Sequence, residues 1–393
     1  MLSDVLVGEV WVCSGQSNME WSVGRSNNAK QEIANANYPE IRQVRIPRKT
    51  AGVPLEDMEE SLEWKEVNPQ NVGDFTAVGY FYARELHKEL NVPIGLINAS
   101  WGGTIIETWI SKEALQTDKS LRKAIHFFEQ VPADTIRQNT TPNRYPTLLF
   151  NAMINPLIPY TVKGVIWYQG EGNARRAYEY RKSFPMMIND WRKQWGLGDF
   201  PFYFVQLASY KASGGTSASG SAWAELREAQ HQTLSLSRTG EAVTIDIGDT
   251  DDIHPRNKQD VGKRLAAIAL HDSYGQDIVY SGPVYKKLRV KGKQAIIHFD
   301  YVHSGLAVKA SEDIIGFEIA GADQRFYPAE ARIAGETVVL SSPSVNRPKA
   351  VRYAWADDPG KSNLFNGDGF PAVPFRTDKW TPITKGIVYE LKD

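Results

Sequence analysis

Short apolar segments alternate with amphipathic segments over the first 275 residues of the chain. The apolar segments are rich in valine, isoleucine and aromatic residues, and each ends at glycine or at polar residues. This pattern is typical of buried β-strands that run into turns. The sequence predicts such strands at residues 4–13, 92–99, 162–168, 202–207 and 242–247.

Apolar residues recur at helical spacing between these predicted strands. Asp74 is the expected N-cap of one helix, Ser183 caps another with Pro185 in its first turn, and a third begins after Pro255. A repeated order of strand, turn and helix is typical of a mostly parallel sheet with helices on both faces. The expected fold of this part is therefore a three-layer α/β/α domain, whose site lies beyond the carboxyl ends of the strands.

The pattern changes after Gly275. Short strand-like segments follow one another, separated by glycine and proline, and Lys291-Gly292-Lys293 has the composition of a hairpin turn. A length of 393 residues also favours two units over one core. We therefore predict an α/β domain over residues 1–275 and a small antiparallel β-domain over residues 276–393.

The charge balance excludes several classes of partner. Forty-five basic residues against 46 acidic ones give a formal charge of -1, so no positive field for nucleic acid or anionic membrane is expected. No apolar run approaches the roughly 20 residues that span a bilayer. The single cysteine, Cys13, excludes an internal disulfide, and no metal-ligand cluster, phosphate loop or dinucleotide fingerprint is present. Neither a metal nor a cofactor is expected.

A serine follows the first predicted strand in the segment Ser14-Gly15-Gln16-Ser17-Asn18-Met19. A serine at a tight turn between a strand and a helix is exposed, and its backbone N–H can bind an oxyanion. Ser17 is therefore a candidate nucleophile. The alternative is that Ser17 caps the next helix.

His254 is the candidate base for this serine. It follows the fifth predicted strand, after Asp249-Thr250-Asp251-Asp252-Ile253, and therefore lies at the same edge of the sheet. A carboxylate three residues earlier, that of Asp251, can fold back and hold the imidazole by its Nδ1 proton. The alternative is an Asp-rich surface turn that caps the helix after Pro255.

Candidate oxyanion donors follow the second and third predicted strands. Gly103 can offer a backbone N–H that no side chain obstructs. Gln169 and Asn173 carry side-chain amides that can donate beside it. The alternatives are a plain turn for the glycine and a buried bracing amide for Gln169.

Four ordered motifs resemble the sequence blocks of the SGNH/GDSL hydrolases, and more narrowly the sialate O-acetylesterase type that is related to acetylxylan esterases. The resemblance covers residues 4 to 270 and extends to residues 351–355 and 374–378. The four motifs are Gly15-Gln16-Ser17-Asn18-Met19, Trp101-Gly102-Gly103-Thr104, Trp167-Tyr168-Gln169-Gly170-Glu171 and Asp251-Asp252-Ile253-His254-Pro255.

The resemblance implies a role for each candidate residue. It implies Ser17 as nucleophile, His254 as base and Asp251 as the orienting acid, with oxyanion donors from the Ser17 N–H, the Gly103 N–H and the Gln169 amide. The general pattern has Gly-Asp-Ser where this chain has Gly15-Gln16-Ser17. It also has an asparagine in the third block, so Asn173 remains an alternative to Gln169.

The function expected from this resemblance is a serine esterase that removes O-acetyl groups from carbohydrate, without a cofactor. Acetylated sialic acid, xylan and xyloglucan all remain possible substrates, and Trp and Tyr rings suit sugar faces. A sialic acid carboxylate would need an arginine, for which Arg175, Arg176 and Arg256 are candidates unless they form a solvated surface.

Two other functions are possible on the same fold. One is a carbohydrate-binding protein without catalysis, which the complete set of Ser17, Asp251 and His254 disfavours. The other is a lipase or thioesterase, which the polar loops disfavour, because a long acyl chain needs an apolar channel.

The resemblance also bears on export. Family members that act on polysaccharide or sialoglycan are secreted or periplasmic, and that location is expected here, although no signal peptide is recognisable in the chain. Longer members carry an additional β-domain before the first strand. That domain is expected to be either absent here or trimmed.

Overall fold

The computed structural model describes residues 4–131, 135–136 and 140–390. Among these residues, seven strands form a central sheet in the order β3-β2-β4-β1-β5-β6-β7. All neighbouring strands are parallel except β2 and β3. The strands are β1 (Glu9–Gly15), β2 (Tyr38–Arg45), β3 (Lys65–Val67), β4 (Ile94–Ser100), β5 (Gly164–Tyr168), β6 (Phe202–Val205) and β7 (Thr239–Ala242).

Helices cover both faces of this sheet. Two apolar cores, one on each face, contain residues of the central strands and of the longer helices. The α-helices are α1 (Ser17–Glu20), α2 (Ala29–Ala34), α3 (Ala77–Leu90), α4 (Lys112–Leu115), α5 (Arg122–Glu129), α6 (Ala177–Trp195), α7 (Ala222–Gln232) and α8 (Lys258–Asp272). The predicted three-layer α/β/α fold is confirmed.

The sheet contains two strands that the sequence pattern did not predict. β2 and β3 lie at one edge, and β2 is a parallel neighbour of β4. In β2, exposed and buried residues alternate imperfectly, and charged residues interrupt the apolar ones. A half-exposed strand of this kind lacks the continuous apolar run by which the central strands were recognised.

Two helices begin at other residues than predicted. Thr76, and not Asp74, caps α3 by accepting a hydrogen bond from the Gly79 N–H. α6 begins at Ala177, so Pro185 lies in its interior and Ser183 is not its cap. A proline inside a helix removes one backbone hydrogen bond, and that cost misled the prediction of the boundary.

The chain after α8 forms short antiparallel strands, as predicted. Two four-stranded sheets have the orders β12-β11-β15-β17 and β13-β14-β9-β8, and β10 pairs with β16. The strands are β8 (Val284–Lys291), β9 (Gln294–Asp300), β10 (Leu306–Val308), β11 (Phe317–Ala320), β12 (Phe326–Pro328), β13 (Glu330–Ala334), β14 (Thr337–Ser341), β15 (Ala350–Tyr353), β16 (Leu364–Asn366) and β17 (Phe375–Arg376).

The two parts of the chain share apolar and polar contacts. Val243 and Ile245 pack into the core of the β-region, so the predicted fifth strand at 242–247 instead ends at Ala242 as β7. The buried Arg227 on α7 donates to the carbonyls of Ala356 and Asp357.

No helix in the described ranges is long and apolar enough to cross a membrane.

Candidate active site

Three adjacent parallel strands bring the sequence motifs to one edge of the sheet. At the carboxyl end of β1, Gly15 pairs with Ser100 of β4 on one side and with Tyr168 of β5 on the other. The loops that follow these strands therefore begin side by side. They carry Ser17 and two further motifs, as the resemblance implied.

A tight turn presents Ser17 at this edge. The Gln16 N–H donates to the Tyr168 carbonyl at 2.9 Å, and α1 begins at the next residue. Ser17 is the first residue of this short helix, so its own N–H has no helical acceptor. Among the described residues, that N–H donates to no protein group. Ser17 is thus placed as a nucleophile would be, with a free backbone donor.

His254 lies directly beside Ser17. Its Nε2 is 2.8 Å from Ser17 Oγ, and its ring stacks on Trp21 with a centroid distance of 5.1 Å and an interplanar angle of 17°. Burial lowers the pKa of His254, and the positive charges of Lys258 and Arg25 act in the same direction, against the carboxylate of Asp252. The neutral imidazole that can accept the Ser17 proton is therefore favoured.

The structure places Asp252, and not Asp251, behind His254. Asp252 Oδ1 lies 3.4 Å from His254 Nδ1 and accepts the His254 N–H at 2.9 Å. The Asp251 carboxylate instead binds Lys211 at 2.5 Å, and its side chain is 78% exposed. The geometry therefore corrects the predicted orienting acid. The turn that bonds Asp252 to the His254 N–H brings this carboxylate near the Nδ1 atom, which the sequence spacing alone did not indicate.

Gly103, the predicted backbone oxyanion donor, follows a glycine that packs against Ser17. Gly102 packs against Ser17, since a Cβ on Gly102 would lie 3.2 Å from Ser17 Cβ. Gly103 has a φ of +73°, a left-handed conformation that favours glycine. Its N–H makes no hydrogen bond within the described part of the chain. The turn that contains Gly103 thus packs against Ser17, and both N–H groups are without an acceptor among the described residues.

The amides of Gln169 and Asn173 are not free. Gln169 is fully buried, and its Nε2 donates to Asn173 Oδ1 at 2.8 Å and to the Thr104 carbonyl at 3.2 Å. Asn173 Nδ2 donates to the buried Glu107 carboxylate. The structure therefore does not support either amide as the third oxyanion donor. Both amides brace the loops after β4 and β5, which was the alternative considered for Gln169.

Gln16 carries a side-chain amide beside Ser17 that sequence reasoning did not consider as a donor. Its Oε1 accepts the N–H groups of Gly170 and Gly172, at 3.3 and 3.2 Å, so the side chain is fixed beside the nucleophile. The hydrogen bonds of its side chain within the described residues are both made through Oε1, so Nε2 has no acceptor there. The departure from the family pattern at this residue, glutamine for aspartate, was the signal that could have indicated it.

The three arginines considered for a substrate carboxylate have different environments. Arg176 is bound to the buried carboxylates of Glu107 and Glu179 and has no free face for a ligand. Arg175 and Arg256 are exposed.

Within the described residues, no cluster of His, Cys, Asp or Glu side chains is arranged to hold a metal ion.

A mostly parallel sheet with a serine and a histidine paired beyond its strand ends is the arrangement of an α/β ester hydrolase. The comparisons with known proteins define the class further. The family model described as carbohydrate esterase, sialic acid-specific acetylesterase, matches residues 7–271. The chain belongs to this family, and it is a carbohydrate acetylesterase and therefore a carboxylic ester hydrolase.

Individual relatives agree with this assignment. The sialate O-acetylesterase of Homo sapiens is 33% identical, over 95% of this chain and 75% of its own length. That of Mus musculus is 34% identical, over 91% of this chain and 74% of its own. A carbohydrate acetylesterase from Xanthomonas citri, known from a crystal structure, is 45% identical with a TM-score of 0.87, covering 96% of this chain and 82% of that one.

Proposed function

We propose that Ser17, His254 and Asp252 hydrolyse the O-acetyl ester of a carbohydrate. Ser17 Oγ attacks the acetyl carbonyl carbon while its proton passes to His254 Nε2. The tetrahedral intermediate then expels the sugar oxygen, which takes that proton, and leaves an acetyl group on Ser17. Water activated by His254 releases acetate and restores the serine. The observation that carries this proposal is the distance of 2.8 Å between Ser17 Oγ and His254 Nε2.

Asp252 would hold His254 in the correct tautomer. A proton on Nδ1 facing the Asp252 carboxylate leaves Nε2 free to accept the serine proton. The separation of 3.4 Å is longer than an ordinary hydrogen bond. Catalytic hydrogen bonds are often long before substrate binds and shorten in the complex. The negative charge of Asp252 would also stabilise the imidazolium that forms during the reaction.

The oxyanion would be bound by the N–H groups of Ser17 and Gly103 and by Gln16 Nε2. All three donors are without a protein acceptor among the described residues, and Ser17 packs on the Gly102–Gly103 turn. Gln16 is held in place through its Oε1, so its amide needs no reorganisation when the oxyanion forms. Preorganised donors of this kind stabilise the transition state more than the substrate.

The charge around the Gly102–Gly103 turn favours an acidic sugar. Arg45 and Arg48 both bind Glu20, whose other oxygen accepts the Gly102 N–H at 3.0 Å. Arg144 is exposed and donates to the Gly103 carbonyl at 3.2 Å. Two arginines therefore share the Glu20 carboxylate, and a third lies on the Gly102–Gly103 turn. An O-acetylated sialic acid, whose carboxylate Arg144 would bind, suits this excess of positive charge better than a neutral acetylated xylan.

Acetate release from a panel of substrates tests the proposal. We expect the wild-type protein to release acetate from O-acetylated sialic acid faster than from its carboxyl methyl ester or from acetylated xylo-oligosaccharide. Arg144→Gln should lower kcat/KM for the acid by about 10- to 100-fold, the value of a charge-assisted hydrogen bond. Hydrolysis of p-nitrophenyl acetate, which has no carboxylate, should change little.

Arg175→Gln is the matched control, because Arg175 is exposed on the loop after β5. It should leave both rates unchanged. Equal rates for the acid and its methyl ester, or an equal effect of the two substitutions, would contradict the preference for an acidic sugar. The acetylesterase activity itself would stand in that case, with a neutral glycan as the substrate.

A further inference from the structure

Three polar side chains form a buried group directly beneath the nucleophile turn. Asn18 Nδ2 donates to Glu171 Oε1 at 2.6 Å, and Asn18 Oδ1 accepts from Lys258 Nζ at 2.5 Å. Lys258 is fully buried, and Asn18 is 1% exposed. The three residues come from α1, from the loop after β5 and from the start of α8. Three separate segments of the active site therefore meet at one asparagine.

This group is tied to both reacting residues. Asn18 is the residue after Ser17, and its Nδ2 also donates to the carbonyl of Ile253 at 3.0 Å. Ile253 is the residue before His254. Any movement of Asn18 would therefore shift the backbone on both sides of the Ser17–His254 hydrogen bond. Since a displacement of 1 Å can lower a rate by two orders of magnitude, this tie bears on catalysis.

The charges that face Lys258 come from several elements. Glu171 and Asp252 oppose its charge, and its ammonium lies over the rings of Trp21 and Tyr168, at 5.9 and 5.2 Å. Burial lowers the pKa of Lys258 to about 7, against the effect of the two carboxylates. Lys258 is therefore still protonated in the acidic range where His254 titrates.

The same charges act on His254 and Glu171. Burial raises the pKa of Glu171, although the hydrogen bond from Asn18 and the charge of Lys258 favour its ionised form. His254 faces Asp252, Lys258 and Arg25, and the two cations disfavour its protonation. Arg25 is exposed to solvent above Trp21, whereas Lys258 is buried. Because burial reduces screening, the charge of Lys258 acts on His254 with less loss than that of Arg25.

We propose that Lys258 is a positioning residue that, together with Asn18 and Glu171, holds Ser17 against His254. The charge of Lys258 also keeps His254 in the neutral form in mildly acidic solution. The inference rests on the proposed roles of Ser17 and His254. It assigns to a residue outside the triad control over the acid limit of activity. Lys258 touches neither the substrate nor the reacting atoms and acts through Asn18 and through its charge.

The pH dependence of kcat/KM for p-nitrophenyl acetate tests this role. The acid limb of that profile reports the pKa of the base in the free enzyme. Lys258→Gln can still donate to Asn18 but removes the positive charge. Because that charge disfavours protonation of His254, the pKa of His254 should rise. We expect the acid limb of the profile to shift to higher pH by about half a pH unit or more. Lys258→Met, which also removes the donor, should in addition lower the plateau by about 10-fold or more.

Two controls separate this role from simple structural support. Lys263→Met removes an exposed charge from the same helix and should leave the profile unchanged. Lys258→Arg keeps the charge and should leave the acid limb in its wild-type position, even if the larger side chain lowers the plateau. An acid limb that stays in place in both Lys258→Gln and Lys258→Met, with unfolding temperature as the check on folding, would overturn the proposal.

Ser17→Ala distinguishes failure of this inference from failure of the mechanism beneath it. If Ser17→Ala is inactive and the acid limb does not move in the Lys258 variants, only the role of Lys258 is wrong. If Ser17→Ala remains active, the proposed serine mechanism itself is wrong.

Discussion

Polar residues in the loops after the strands of this enzyme fall into two groups. The groups differ in whether the polar atoms of their side chains are already hydrogen-bonded inside the protein. Ser17, His254 and Gln16 each have an atom that is free or that meets another reacting group. Gln169 and Asn173 lie on a neighbouring loop, but every polar atom of their side chains is used inside the protein. Gln16 and Gln169, one from each group, are the same residue type, and each directly follows the last residue of its strand.

The difference shows why residue type does not define a catalytic donor. A buried amide whose hydrogens are both donated internally must break those bonds before it can reach a substrate. Leaving its partners unpaired costs about 1–3 kcal/mol for each group. Gln169 therefore braces the loop after β5, whereas the Gln16 Nε2 has no such internal bond to break among the described residues. Four predictions test this contrast.

The largest effect is expected for Ser17→Ala. Loss of the nucleophile of a triad typically lowers kcat by about 10⁶-fold. The unfolding temperature should not fall, because the Ser17 side chain has no hydrogen bond to a bracing residue. Steady-state hydrolysis of p-nitrophenyl acetate provides the rate, and calorimetry provides the stability. A variant with a tenth of the wild-type kcat would contradict the assignment.

The next largest effect separates the two adjacent aspartates. Asp252→Asn should lower kcat by about 10² to 10⁴-fold, the upper value being that of a fully buried orienting acid. Asp252 is 44% exposed, which favours a smaller effect. Asp251→Asn removes only an exposed ion pair with Lys211 and should change kcat by less than about two-fold. The opposite order would restore the assignment made from sequence spacing.

Gln16→Ala should lower the reaction rate, whereas Gln169→Ala should lower the stability of the fold. Loss of one oxyanion donor lowers kcat by about 10² to 10³-fold, and we expect this for Gln16 with little change in KM. Gln169→Ala leaves buried partners unsatisfied and should lower the free energy of unfolding by about 1–3 kcal/mol. Chemical denaturation and kinetics on both variants decide the point. A larger loss of kcat in Gln169→Ala at unchanged stability would show that Gln169 is the donor.

The smallest effect on the reaction is expected for Arg176→Met. Arg176 pairs with Glu107, whose side chain is fully buried beneath Asn173, and removal of one partner leaves a buried charge. The free energy of unfolding should fall by about 3–5 kcal/mol. At a temperature where the variant is folded, kcat should stay within a few-fold of wild type. A loss of kcat as large as that for Gln16→Ala would show that this cluster takes part in the chemistry.

Much of the fold could be predicted because its signal is local. The central strands β1, β4 and β5 are continuous apolar runs, and such runs indicate buried parallel strands without knowledge of their neighbours. The edge strand β2 and the start of α6 could not be predicted in this way. β2 is stabilised by pairing with β4, and α6 continues through Pro185 because its buried face packs in the core.

The sequence by itself determined the order of the motifs, and with it the edge of the sheet where Ser17, Gly103 and His254 meet. Parallel strands end at the same edge, so Ser17 and Gly103, which follow the adjacent strands β1 and β4, are brought together there. β7 is separated from β1 by β5 and β6, so the loop after β7 must carry His254 back to Ser17. Only the tertiary structure decided which neighbouring polar group faces the reacting atoms. Asp251 and Asp252 are the same residue type, and so are Gln16 and Gln169. They differ in the direction that the loop backbone gives each side chain, and in which partners from distant segments already satisfy it.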